Sequence, residues 1–92
     1  MQAAGSVIPE ILAELLRTAP KAEVARLVWP VVCGARVAAQ TVPRELHDGV
    51  LRVQVPDRTW CAEMSGLEAQ YRREFARLLG PKAVRQIVFV ER

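Results

Sequence analysis

Apolar residues recur at helical spacing in three parts of the chain. The first part predicts an amphipathic helix at about residues 7–18. The second predicts helical structure at about residues 22–40, but Pro30 interrupts it. Proline inside a helix removes a hydrogen bond and clashes with the preceding turn, at a cost of about 3 kcal/mol. We therefore expect a kink or a break at Trp29, with a new start at Pro30.

The third and longest helical pattern covers residues 57–79. Asp57 is suited to cap its first turn, and Gly80 before Pro81 predicts its end. Its apolar positions recur every three or four residues and predict one continuous buried stripe: Trp60, Met64, Leu67, Tyr71, Phe75 and Leu78. This phase places the Trp60 indole against the core, and the alternative is an indole exposed for base stacking.

The Asp48-Gly49 turn signal, followed by alternating apolar and polar residues over 51–55, predicts a β-hairpin. Its strands are expected at about residues 41–46 and 50–55. Pro43 cannot donate a hydrogen bond to a neighbouring strand, so the first strand is expected to be irregular or to lie at a sheet edge.

A last strand is predicted at about residues 84–90, with Ile87 and Phe89 on one face and Val88 and Val90 on the other. A helical crossover between the second and third strands is expected to be right-handed. The order α-α-β-β-α-β predicts a small α+β sandwich, a three-stranded sheet covered by helices on one face. The two valines would then form an apolar patch or an edge that a partner binds, unless the chain's own first helix covers them.

The length of 92 residues predicts a single domain, residues 1–92. Its one histidine, His47, has no cysteine or second histidine at ligand spacing, and the hydroxyl residues are not paired with a base in any recognisable motif. The glycines are isolated and form no phosphate-binding loop. We expect no metal, no cofactor and no enzymatic activity.

The cysteines and the lack of long apolar segments indicate the cellular compartment in which the protein is expected. Cys33 and Cys61 lie in apolar, helix-like stretches without C-x-x-C spacing, which is typical of buried reduced thiols in a cytoplasmic protein. Uncharged stretches are far shorter than the roughly 20 residues of a membrane span. No basic region precedes the first apolar residues, so a signal peptide is not expected.

Charge is distributed unevenly along the chain. The net charge is +3, and because the first 57 residues are balanced, the excess lies in the remainder. Between residues 70 and 85, Glu74 is the one acidic residue among a group of basic side chains: Arg72, Arg73, Arg77, Lys82 and Arg85. We expect these side chains to contact DNA phosphates without reading bases. The alternative is the solvated outer face of a helix.

Several short motifs follow one another along the chain: a Trp with an apolar pair and Gly, a Thr-x-Pro, an Asp-Gly turn with an alternating strand, a helical Trp and a final strand. They comprise Trp29, Val31, Val32 and Gly34; Thr41 and Pro43; Asp48, Gly49, Leu51, Val53 and Val55; Trp60; and Val84, Ile87 and Phe89. In this order and spacing, over roughly residues 8–90, the chain resembles the bacterial DciA family.

The resemblance implies a K-homology-like fold and a non-enzymatic accessory of DNA replication that helps to load the replicative helicase. It implies that helicase and, weakly, single-stranded or duplex DNA as partners, in the cytoplasm and without a membrane. K-homology domains that bind nucleic acid use a Gly-x-x-Gly loop, and the segment 34–37 lacks the second glycine, so RNA binding by that route is not expected. The alternative is a protein-interaction or homodimerisation module with no direct nucleic-acid role.

Overall fold

The structure is a computed structural model that describes Glu14 and residues 18–92. The predicted helix at 7–18 therefore lies outside the described residues, apart from Glu14 and Thr18. The elements, in chain order, are α1 (Lys21–Cys33), α2 (Ala35–Gln40), β1 (Val42–His47), β2 (Val50–Val55), α3 (Arg58–Gly66), α4 (Glu68–Leu79) and β3 (Gln86–Glu91).

Within residues 18–92, three strands form one mixed sheet in the order β1-β2-β3. Strands β1 and β2 are antiparallel and meet at the predicted turn, where Asp48 and Gly49 have φ angles of 52° and 80°. Strands β2 and β3 are parallel, because α3 and α4 return the chain between them. The register of the edge strand β1 shifts between Pro43 and Leu46, which confirms the irregularity expected at the proline.

One face of the sheet carries the core, and the helices pack on that face. Its strand residues are Leu51, Val53 and Val55 of β2 together with Ile87 and Phe89 of β3. The helices contribute Ala25, Trp29 and Val32 of α1, Met64 of α3, and Tyr71 and Phe75 of α4. The α+β class and the covered sheet face are confirmed.

Trp29 lies at the centre of this core and is 1% exposed. Its ring meets Tyr71 edge-on at 5.6 Å between centroids and stacks on Phe75 at 6.1 Å. The indole Nε1–H donates to the Thr41 hydroxyl at 2.9 Å, and that hydroxyl donates to the Val37 carbonyl at 2.9 Å. One indole thus connects α1, α4 and the end of α2.

Helix α1 continues through Pro30, so the predicted break at Trp29 is wrong. Trp29 and Val32, on either side of the proline, are both buried, and burial of large side chains offsets a lost hydrogen bond. The helix ends instead at Gly34, whose φ of 89° and ψ of 154° suit glycine alone. The Gly34 N–H closes the last turn on the Pro30 carbonyl at 2.8 Å.

The helix predicted as continuous over residues 57–79 is divided in two. Glycine has low helix propensity; Gly66 ends α3, and Leu67 leaves the helical conformation with φ −102° and ψ 1°. As a result, Leu67 drops out of the predicted stripe and is 38% exposed. Asp57 caps α3 as predicted by accepting from the Trp60 N–H at 3.0 Å, and the Trp60 side chain is half-buried against the core.

Thr41→Val tests the hydrogen bond that orients Trp29. The substitution preserves the side-chain shape but leaves the buried Nε1–H of Trp29 without its acceptor. We expect the free energy of unfolding, measured by urea denaturation, to fall by about 1–3 kcal/mol. Thr41→Ser retains the hydroxyl and should cost less, about 0.8 kcal/mol for the deleted methyl group. Equal losses in the two variants would show that the hydroxyl does not stabilise the indole.

Candidate nucleic-acid interface

The basic residues predicted to contact DNA do not share one surface. Successive residues of a helix are rotated by about 100°, so Arg72 and Arg73 point in different directions from α4. Arg73 and Arg77 lie on the exposed side of the helix, away from the buried Tyr71 and Phe75. Arg72 lies on the flank that is nearest to β3.

Arg72 is held by Glu68, one helical turn earlier. The Arg72 Nε donates to Oε2 of the carboxylate and Nη2 donates to Oε1, both at 3.1 Å. Oε2 also accepts the backbone N–H of Ile87 at 2.9 Å. Glu68 therefore joins α4 to the start of β3, and its side chain is 19% exposed.

The ionisation of Glu68 reflects opposing effects. Burial on its own would raise the pKa of this carboxyl group. Hydrogen bonds from Arg72 and from the Ile87 N–H, together with the positive charge of Arg72, outweigh burial and lower the pKa of Glu68. Hydrogen bonding to the carboxylate in turn raises the pKa of Arg72. Both groups are charged at neutral pH.

The ion pair of Arg77 is more exposed to solvent than that of Arg72. Arg73 and Lys82 have no partner in the part of the chain described. Arg77 donates from Nε and Nη2 to Oε1 of Glu74 at 3.2 and 2.8 Å, and the hydrogen bond lowers the pKa of Glu74. Exposed pairs of this kind contribute little to stability. Within residues 18–92, the side chains of Arg73 and Lys82 make no hydrogen bond or ion pair, and both are exposed.

Arg85 is attached to the hairpin turn. Its Nη2 donates to the Asp48 carbonyl at 2.8 Å, and a Cβ atom on Gly49 would lie only 2.6 Å from its Nε. The backbone N–H groups of Arg85 and Gln86 both donate to the Gly49 carbonyl, at 2.7 and 3.1 Å. The glycine therefore allows both the positive φ of the turn and the close approach of this guanidinium group.

The structure also brings together basic residues that spacing along the chain does not connect. Arg72 and Arg85 line one groove of about 430 Å³. In the first half of the chain, Arg26 donates from Nη1 to the Arg44 carbonyl at 3.1 Å, which places an exposed residue of α1 beside one of β1. The i,i+4 spacing of Glu68 and Arg72 is the one signal in the sequence that could have indicated part of the groove.

Val88 and Val90, predicted as a partner surface, are half-buried on the face of the sheet opposite the core. Their neighbours in β2 are Arg52 and Gln54. Arg52 forms an ion pair with Glu45 of β1. The apolar area at the valines is therefore bordered by polar side chains.

The outer edge of β3 is occupied by side chains from the helices. The Ile87 N–H donates to Glu68 at 2.9 Å, and the Cys61 thiol donates to the Phe89 carbonyl at 3.0 Å. Because backbone groups alternate in direction along a strand, the two valines present their own backbone groups to β2. Their side chains thus lie on the sheet face, whereas the adjoining edge groups of β3 already have partners within the described residues.

The two cysteines, Cys33 and Cys61, are free and half-buried. Burial raises the pKa of the Cys33 thiol to about 11, although a backbone hydrogen bond partly opposes this. No group of three or more metal-ligating side chains is found among the described residues. No described helix has the length and apolar character needed to cross a membrane.

Comparison with known families gives one match that covers nearly the whole chain. Residues 3–89 match the family model described as Dna[CI] antecedent, DciA. No curated protein matches the sequence.

Glu68→Gln tests the carboxylate that joins α4 to β3. Its lowered pKa means that the ionised form stabilises the fold above the unfolded pKa of about 4.3, and that this contribution is lost as the pH falls through the folded pKa. We expect the variant to lose about 1–2 kcal/mol of unfolding free energy at pH 7. The difference from the parent protein should shrink as the pH falls below the unfolded pKa, as measured by urea denaturation from neutral to acidic pH.

Glu74→Gln is the matched control, because it removes the same charge from an exposed pair on the same helix. We expect Glu74→Gln to lose less unfolding free energy than Glu68→Gln. A loss in the Glu68 variant that stays constant from neutral to acidic pH would contradict a role for the ionised carboxylate.

Proposed function

Because the chain belongs to the DciA family, we propose that it is a non-enzymatic accessory of bacterial DNA replication that helps to load the replicative helicase on DNA. The family match over residues 3–89 is the observation that carries this proposal. The helicase is the protein partner that this role requires. The role also places the protein in the cytoplasm, where the helicase ring meets chromosomal DNA.

The proposal includes weak, sequence-independent DNA binding through exposed basic side chains, Arg73 and Arg77 on the outer side of α4 and Lys82 in the turn after it, together called the outer basic face. Arg73 and Lys82 are exposed and have no partner among residues 18–92. Arg77 exchanges its solvent-exposed Glu74 contact for a phosphate at little cost. Contacts of this kind position a protein on the DNA backbone but carry no sequence information.

The second candidate is a protein-interaction or homodimerisation module without a nucleic-acid role. It is favoured by apolar side chains on the surface. Val88 and Val90 lie on the sheet face opposite the core, and Leu27 and Val31, one turn apart on α1, are 60% and 65% exposed.

Capture of the helicase tests the central part of the proposal. The immobilised protein is expected to retain the purified replicative helicase of its own organism, and single-stranded DNA is expected to increase the amount retained. Two double variants, Leu27→Ser with Val31→Ser and Val88→Thr with Val90→Thr, compare the two apolar surfaces with equal numbers of substitutions. Failure to retain the helicase both with and without DNA would contradict the loading role.

Salt dependence tests DNA binding by the outer basic face. Each phosphate contact on single-stranded DNA contributes about −0.7 to the slope of log K against log salt concentration. Replacing Arg73, Arg77 and Lys82 with alanine should therefore reduce the magnitude of the slope by about 2, with weaker binding at low salt. Fluorescence anisotropy of a labelled oligonucleotide measures both quantities.

The control for this triple variant removes the same charge elsewhere. Lys21, Arg36 and Arg44 are exposed, and their replacement with alanine leaves the outer basic face intact. This control should retain most of the affinity and of the slope. Equal weakening by the two triple variants would assign binding to net charge and not to this face.

A further inference from the structure

A polar groove lies between the α3–α4 junction and the start of β3. It is an open groove with a volume of about 430 Å³, and its lining is formed by Ser65, Glu68, Arg72, Arg85, Gln86 and Ile87. The groove therefore combines two guanidinium groups, one carboxylate, a hydroxyl group and an amide. It lies on a different side of α4 from the outer basic face.

Both oxygens of the carboxylate in the groove already accept hydrogen bonds. Both oxygens of Glu68 accept from Arg72, and one of them also accepts from the Ile87 N–H. Three donors thus disperse its charge, and the same contacts fix the plane of the Arg72 guanidinium group. The Nη1 of Arg72 has no hydrogen-bond partner within residues 18–92 and is left for a ligand.

The second guanidinium group is held by the hairpin turn. Nη2 of Arg85 is bound to the Asp48 carbonyl at 2.8 Å, and the side chain lies against Gly49. Its Nε and Nη1 make no hydrogen bond to any residue of the described range. Because both arginines are held by the protein before a ligand arrives, little side-chain entropy is lost when they bind one.

We propose that this groove binds a phosphate group of a nucleic-acid backbone between Arg72 and Arg85. Guanidinium groups match phosphate oxygens in shape and charge, and fixed ones bind them most effectively. The Ser65 hydroxyl and the Gln86 amide add neutral donors at the rim. The inference rests on the proposed DNA-binding function and adds a defined phosphate site to it, distinct from the outer basic face.

Ser65→Glu is the most direct test, because it places a negative charge in the groove without removing any contact of Arg72 or Arg85. Ser65 is exposed, so the variant is expected to fold. Binding is followed by amide NMR shifts during titration with inorganic phosphate and with a short single-stranded oligothymidine. In the parent protein both titrations should shift amides of residues 65–68 and 85–87. The variant should bind the oligonucleotide about tenfold more weakly and show no phosphate shifts at these residues.

Thr59→Glu is the matched control, since it adds the same charge to an exposed position of α3 that does not line the groove. It should weaken oligonucleotide binding far less than Ser65→Glu. Equal weakening by the two variants, or shifts that avoid residues 65–68 and 85–87, would overturn the groove as a phosphate site.

The test also separates this inference from the DNA-binding function on which it rests. If the outer-face triple variant weakens oligonucleotide binding and Ser65→Glu does not, the groove assignment fails while the proposed function stands. If the parent protein binds no oligonucleotide at low salt, DNA binding fails together with the groove assignment.

Discussion

The packing of one indole connects three helices of the structure. Trp29 stacks on Phe75, meets Tyr71 edge-on and donates a hydrogen bond to Thr41. A side chain with two aromatic neighbours and a satisfied polar atom has little freedom to shift, because the interior is close-packed. Since Tyr71 and Phe75 are turned inwards by this contact, the opposite side of α4 is left to solvent.

Glu68 connects the folded core to the candidate interface. It accepts from the backbone of β3 and from Arg72, so one carboxylate both closes a strand edge and orients a cation. An unpaired strand edge is a site of unwanted pairing, and on β3 helix side chains satisfy two of its groups. Fold stability and the arrangement of the groove therefore depend on the same group.

The candidate site could be predicted from the sequence only in part. The Glu68–Arg72 and Glu74–Arg77 spacings by themselves indicate ion pairs on a helix. The grouping of Arg72 with Arg85, and their separation from Arg73, depends on the direction of α4 against the sheet. The attachment of Arg85 to the Asp48-Gly49 turn joins positions that are distant along the chain, and no local pattern indicates it.

The sequence by itself determined the features that depend on neighbouring residues. Strand alternation, the positive φ angles at Asp48 and Gly49 and the cap at Asp57 follow from local periodicity and local backbone preference. The tertiary structure decided whether Pro30 interrupts its helix and which cations line the groove. Helix α1 continued through Pro30 because core burial outweighed the local cost of proline, and that burial depends on contacts between residues far apart in the chain.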